Sequence, residues 1–112
     1  MRRFGGTPEE ALPHILERLR EAVESRSVQG FYIARTGDYT AELVRRMREW
    51  QPPPTELLVL YETASDDHAR QVEEELIRVF GNHPKCRNGQ LGAGAPSPSG
   101  IQYVVALLWS AD

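Results

Sequence analysis

The stretch LLVLY at residues 57–61 is apolar at every position. A strand with one face in water alternates apolar and polar side chains, whereas an unbroken apolar run of this length is typical of a strand covered on both faces. Prolines at residues 52–54 precede the run and end any helix before it, because proline cannot continue the helical hydrogen-bond ladder. The sequence therefore predicts a small sheet with helices on both sides.

A first helix is predicted upstream, from Thr7 to about Ser25. Thr7 has the character of an N-cap, with Pro8 at the first helical position and Glu10 placed to complete a capping box. Apolar residues then recur at helical spacing. Pro13 lies inside this pattern, so we expect a kink at Pro13 or a helix that starts properly nearer to it.

Two more helices and two more strands are predicted along the chain. Residues 30–36 are aromatic and β-branched and predict a strand, as do residues 101–109 at the other end. Residues 39–50 and 65–80 predict amphipathic helices, the second with Ser65 as its cap. The apolar side of the helix over residues 39–50 consists of Leu43, Val44, Met47 and Trp50.

The predicted order is α-β-α-β-α-β, which defines an α/β domain with a small central sheet of about three strands flanked by helices. A chain of 112 residues has the length of one domain, residues 1–112. Residues 1–6 are expected to be flexible. Residues 82–100 are polar and rich in glycine and proline, and they predict one long loop.

Composition narrows the classes of function. The single cysteine, Cys86, excludes an internal disulfide and indicates a reducing, cytoplasmic setting. No apolar run is long enough to span a membrane, so no membrane partner is expected. The net charge of −3 is unusual for a general nucleic-acid binder. However, residues 26–50 carry five arginines against three acids, while residues 56–78 carry seven acids against two arginines. One basic face on an acidic molecule would suit an anionic partner, although solvated helix faces explain the same counts.

Glu73 differs from the glutamates that follow it. At 100° per residue it falls inside the apolar stripe of the third helix, whereas Glu74 and Glu75 do not. A carboxylate on a buried face loses hydration and needs a cation, a metal ion or hydrogen-bond donors as partner. Glu73 is therefore a candidate functional residue, with the alternative that it lies at the edge of the stripe and reaches water.

Four short motifs stand in one order: YIART at residues 32–36, RRMREW at 45–50, AxxxExxLI at 69–77 and NG at 88–89. Together they resemble the GIY-YIG nuclease superfamily over roughly residues 30–90. The resemblance implies a metal-dependent endonuclease, a hydrolase that cleaves phosphodiester bonds in DNA or RNA.

The resemblance also implies roles for individual residues. The catalytic set would be Tyr32, Arg46, Glu73 and Asn88. Glu73 would be the metal ligand and would hold Mg²⁺ or Mn²⁺, hard ions that need only one or two carboxylates and keep most of their waters. Arg46 would stabilise charge on the phosphate. The cations expected to contact nucleic acid are Arg35, Arg45, Arg48, Lys85 and Arg87.

The chain also departs from the family pattern. The stretch before Gly30 contains no Gly-Ile-Tyr strand, the glycine of the YIG motif is Ala34, and the histidine often found after the arginine is Trp50. His68 and His83 are the imidazoles that could substitute. The alternative function is therefore a catalytically inactive GIY-YIG-like module that binds nucleic acid or protein. A further alternative is an α/β domain unrelated to that family.

Overall fold

The computed structural model describes residues 5–88 and 100–110. The predicted flexible segment 1–6 and the predicted loop 82–100 therefore lie partly outside the described residues, at positions 1–4 and 89–99. The predicted α/β class and element order are confirmed. The elements are α1 Pro8–Glu24, β1 Val28–Thr36, α2 Tyr39–Glu49, β2 Glu56–Thr63, α3 Asp66–Phe80 and β3 Gln102–Ser110.

The three strands form one antiparallel sheet in the order β1-β3-β2. The last strand of the chain is central, and Leu107 at its middle is opposite Tyr32 of β1 and Leu57 of β2. A bulge between Val59 and Tyr61 shifts the register of β2. Both edges of β3 are therefore paired, and β1 lies at one side of the sheet.

Helices cover both faces of the sheet, as the apolar run at 57–61 predicts. Helices α1 and α3 pack on one face, here called the α1/α3 face, around Phe31, Leu60 and Val104. Helix α2 packs on the other, here called the α2 face, around Tyr32, Val59 and several large side chains of β3. Neighbouring residues of β1 and β3 thus belong to opposite faces, because side chains alternate along a strand. At the bulge of β2, Leu60 and Tyr61 both belong to the α1/α3 face.

The first helix begins at Pro8 and not near Pro13. Thr7 caps it, and the Thr7–Glu10 capping box is present as predicted. Pro13 lies inside the helix. Its missing N–H leaves only the Glu9 carbonyl without a helical partner, and Glu9 is exposed, so the capped first turn is retained.

The apolar side predicted for α2 is wrong in part. Leu43 and Trp50 pack against the sheet, but Val44 and Met47 are 43% and 47% exposed. The helix turns Glu42 and Arg46 toward the sheet instead, and both are buried. Among the described helices, none is long and apolar enough to span a membrane.

Candidate functional site

Glu73 lies on the buried side of α3, as predicted, and is 8% exposed. Its partner comes from the neighbouring strand: Oε1 lies 3.2 Å from Nε of Arg35. The same guanidinium donates from Nη1 to Asp66 Oδ1, also at 3.2 Å. Arg35, which the resemblance assigns to nucleic-acid binding, therefore bridges one carboxylate at the start of α3 and one at its middle.

The pair between Arg35 and Glu73 is buried but incompletely hydrogen-bonded. Neither Arg35 Nε nor Glu73 Oε2 has a hydrogen-bond partner of good geometry, and both atoms are shielded from solvent. Burial raises the pKa of the Glu73 carboxyl, the charge of Arg35 lowers it, and the charge of Glu74 raises it again. Desolvation is the largest of these effects, so the charged carboxylate is less favourable here than in a surface ion pair.

Asn88 lies beside β1 and bonds its backbone. Its Nδ2 donates to the Ile33 carbonyl oxygen at 2.7 Å, and its Oδ1 accepts from the Ile33 N–H at 2.9 Å. Just before it, Cys86 forms a parallel bridge with Phe31. The described start of the predicted loop therefore pairs with the outer edge of β1.

Tyr32 and Arg46 meet on the α2 face. Tyr32 is fully buried, and the guanidinium carbon of Arg46 lies 5.6 Å from its ring centre. Nε of Arg46 donates to Glu42 Oε2 at 2.8 Å. Burial raises the pKa of the Tyr32 hydroxyl, Arg46 lowers it, and the charges of Glu42 and Glu73 raise it.

Two stacked tryptophan rings lie between two guanidinium groups at one end of the α2 face. The guanidinium of Arg46 lies 4.5 Å from the ring centre of Trp50, and Trp50 stacks on Trp109 with ring centres 5.4 Å apart. Arg87 lies over Trp109 at 4.3 Å. A Cβ on Gly30 would be 2.4 Å from Arg87 Nε, so this glycine allows the guanidinium to cross the strand.

The other predicted cations have separate surroundings. Lys85 Nζ donates to the carbonyl oxygens of Val23 and Ser25 and so caps the end of α1. Arg45 is half exposed and pairs with the glutamates at 42 and 49. Arg48 is exposed and makes no ion pair within residues 5–88 and 100–110. These cations do not converge on one point.

The histidines considered as substitutes for the missing catalytic groups lie apart from Arg46. His83 packs edge-on against Phe31 with ring centres 5.5 Å apart, and its Nδ1 accepts from the Lys85 N–H. His68 lies in the first turn of α3. The helical spacing of Arg45 and Arg46 from Glu42 and Glu49 favours pairing between them as the alternative to a functional role for the arginines, and these pairs are present. Sequence reasoning missed the burial of Glu42 and the stacking of Trp109 on Trp50, and nothing local marks Trp109 as a partner of Trp50.

The four candidate catalytic residues thus surround one segment of β1 without sharing one cleft. Arg46 contacts Tyr32 on the α2 face, and Glu73 contacts Arg35 on the α1/α3 face. Asn88 contacts Ile33 at the edge between the two faces. Each of these three contacts uses the guanidinium, carboxylate or amide group that a catalytic role would need.

The surroundings of Glu73 do not fit a magnesium ion. Mg²⁺ keeps several waters and needs room for them, but Glu73 Oε2 is buried. The guanidinium of Arg35 already supplies a compensating positive charge 3.2 Å from Oε1. In the described part of the chain, no group of three or more histidine, cysteine, aspartate or glutamate side chains could hold a metal ion.

Comparison of the chain with protein-family models, curated proteins and solved structures found no match. The resemblance to the GIY-YIG superfamily therefore stays a prediction that rests on the motifs.

Proposed function

We propose that this chain is a GIY-YIG-like domain that binds nucleic acid through its α2 face and does not cleave it. The observation that carries the proposal is the unequal charge of the two faces. Helix α2 has three arginines against two glutamates. Helices α1 and α3, on the opposite face, each have five acids against two arginines. A polyanion is attracted to the first face and repelled by the second.

Three cations on the α2 face are accessible to a phosphate backbone. Arg48 is exposed, Arg45 is half exposed, and Arg87 is partly exposed above Trp109. Of the two glutamates of α2, Glu42 repels a phosphate less, because its carboxylate is buried beneath Arg46 and Arg45. Contacts of this kind position a nucleic acid without reading its sequence.

The absence of cleavage is inferred from how the candidate catalytic groups are used. Both ends of the Asn88 amide bond the backbone of β1, and Arg46 is paired with Glu42. Glu73 is paired with Arg35. Each group would have to leave a partner in a buried or half-buried setting before it could act on a phosphodiester, and such a change costs free energy.

Binding is tested by fluorescence anisotropy with labelled single-stranded and double-stranded DNA and RNA at several salt concentrations. We expect affinity to fall steeply with salt, because bound phosphates release counterions. In Arg45→Glu/Arg48→Glu, the salt slope should be smaller in magnitude by about one for each phosphate that the variant no longer binds. The matched control is Arg20→Glu/Arg70→Glu, which makes the same charge change on the α1/α3 face.

The control variant should bind nucleic acid more tightly than the α2 variant and should keep a salt slope close to that of wild type. Equal weakening in the two double variants would mean that net charge, and not the α2 face, governs binding. A nucleic-acid complex whose affinity does not change with salt would contradict phosphate binding by the α2 face. No binding to any of the nucleic acids would favour a protein partner instead, for which the exposed side chains of Val44 and Met47 are available.

The second candidate function is a Mg²⁺- or Mn²⁺-dependent endonuclease. It is favoured by one observation: the four candidate catalytic residues all belong to or contact the same segment of β1, residues 32–35. A nicking assay on supercoiled DNA and on structured RNA, with either ion, compares wild type with Glu73→Ala. Cleavage by wild type that disappears in Glu73→Ala would establish the enzyme and refute the non-catalytic proposal.

A further inference from the structure

We infer that Arg35 is the built-in cation of Glu73 and occupies the place that a divalent ion would need. The inference concerns one ion pair and does not depend on nucleic-acid binding. Its starting point is the mismatch between the metal role that the motifs predict for Glu73 and the surroundings that the fold gives it. One strand residue supplies the charge that a metal would otherwise bring.

The position of Arg35 follows from the strand pattern. Residues 31, 33 and 35 of β1 face α1 and α3, and Phe31 and Ile33 pack into the core there. Arg35 is the next residue of this row and lies opposite Val104 of the central strand, which belongs to the same core. Its guanidinium therefore meets the first half of α3, where Asp66 at the first position and Glu73 two turns later lie on one side of the helix.

Arg35 meets two carboxylates with different exposure. The side chains of Arg35 and Glu73 are 12% and 10% exposed, whereas Asp66 is 60% exposed. The buried carboxylate alone would face a large desolvation cost, which a guanidinium at 3.2 Å offsets in part. The same positive charge repels any divalent ion that approaches Glu73. The fold thus supplies the acid with a cation and blocks the metal with one side chain.

Removal of the guanidinium should reverse both effects. Without Arg35, the carboxylates of Asp66 and Glu73 face one vacated space with no positive charge between them. Two carboxylates and water are a sufficient ligand set for a hard divalent ion. A divalent-ion site is therefore expected in Arg35→Met, whose side chain is unbranched and carries no charge, and it should require Glu73.

The experiment measures Mn²⁺ binding by the decrease of the free-ion electron paramagnetic resonance signal, together with the thermal unfolding midpoint with and without Mn²⁺. The proteins are wild type, Glu73→Gln, Arg35→Met and Arg35→Met/Glu73→Gln. We expect wild type and Glu73→Gln to respond alike to Mn²⁺. Arg35→Met should bind Mn²⁺ about ten-fold more tightly than wild type, which corresponds to about 1.4 kcal/mol, and the double variant should lose this gain.

Arg70→Met is the matched control, because Arg70 pairs with Asp67 on the same helix but in an exposed setting. It should gain no Mn²⁺ binding. Two results would overturn the inference: binding of Mn²⁺ by wild type that Glu73→Gln removes, or a folded Arg35→Met that gains none. If Arg35→Met does not fold, the comparison of wild type with Glu73→Gln still decides, and Arg35→Lys, which keeps the charge, should fold and bind no Mn²⁺. No nucleic acid is present, so these results are independent of the binding proposal.

Discussion

The side-chain amide of Asn88 replaces a neighbouring strand for Ile33. It donates to the Ile33 carbonyl oxygen and accepts from the Ile33 N–H, which are the two bonds that a paired strand residue would make. Strand β1 is at the side of the sheet, where such groups would otherwise be unpaired. The residue that the motif assigns to catalysis therefore has a structural task, and its amide is not free to orient a substrate.

Asn88→Ala should destabilise the fold by about 1–3 kcal/mol, because it leaves a half-buried N–H and C=O of Ile33 without partners. Urea denaturation followed by tryptophan fluorescence measures the change. Asn82→Ala, in the exposed turn after α3, is the control and should leave the free energy of unfolding unchanged. Equal stability of the two variants would contradict a structural role for Asn88.

Gly30 and Arg87 should be energetically coupled. A methyl group at Gly30 meets the guanidinium of Arg87, so Gly30→Ala should displace it from the ring of Trp109. We expect this substitution to remove the cation–π interaction, about 0.5–1 kcal/mol. In an Arg87→Ala background the same substitution should cost less by that amount. A double-mutant cycle from urea denaturation measures the coupling, and strictly additive effects would show that the two residues do not interact.

The stability of the fold should depend on pH through Glu73. Burial raises the pKa of this carboxyl, with Arg35 opposing the shift, so between the ordinary value of about 4.3 and the raised value the folded chain binds more protons than the unfolded chain. The contribution of Glu73 to stability is therefore fully present below about pH 4.3 and falls as the pH rises through this window. The difference in unfolding free energy between wild type and Glu73→Gln should decrease over the same range.

Glu10→Gln provides a control of opposite sign. Hydrogen bonds from the side chain and backbone of Thr7 lower the pKa of Glu10, so the stability that Glu10 contributes is lost as the pH falls. The difference between wild type and Glu10→Gln should thus increase with pH. A Glu73 difference that also increases with pH would mean that Arg35, and not desolvation, dominates the environment of Glu73.

The sequence was sufficient for the order of elements and for the inward direction of Glu73, because both follow from local periodicity. It was insufficient for the rotation of α2. Val44 and Met47 belong to the apolar stripe by spacing, yet the helix buries Glu42 and Arg46 instead. The rings that make this favourable come from Tyr32, Trp50 and the distant Trp109, and no local pattern shows that these residues meet.

The pairing of Asn88 was beyond the sequence for a similar reason. It depends on the register between the segment after α3 and the edge of β1, which the bridge between Phe31 and Cys86 sets.

The partner of Glu73 was closer to being predictable. Alternation along residues 31, 33 and 35 places Arg35 on the face that α3 covers, but the side of the sheet on which each helix packs comes only from the tertiary fold.

Breaking the buried pair between Glu42 and Arg46 should lower the free energy of unfolding strongly, whereas replacing both residues with apolar ones should change it little. Glu42→Ala leaves the buried guanidinium of Arg46 with only the half-exposed carboxylate of Glu49, 3.7 Å from its Nη1, and we expect a loss of about 3 kcal/mol, the lower end of the range for breaking a buried pair. Glu42→Leu/Arg46→Met fills similar volume with apolar groups beneath α2 and should unfold near the wild-type urea concentration. Asp67→Ala, which breaks an exposed pair with Arg70, is the control and should have little effect.

The same double variant separates the structural role of Arg46 from a functional one. If Arg46 acts only by packing over Tyr32 and Trp50, Glu42→Leu/Arg46→Met should bind nucleic acid with the wild-type salt slope, because Arg45 and Arg48 are retained and the net charge is the same. Arg45 loses its pair with Glu42 in this variant and keeps its pair with Glu49. A folded variant whose slope falls by about one would show that Arg46 contacts a phosphate directly. In that case its pairing with Glu42 must open when nucleic acid binds.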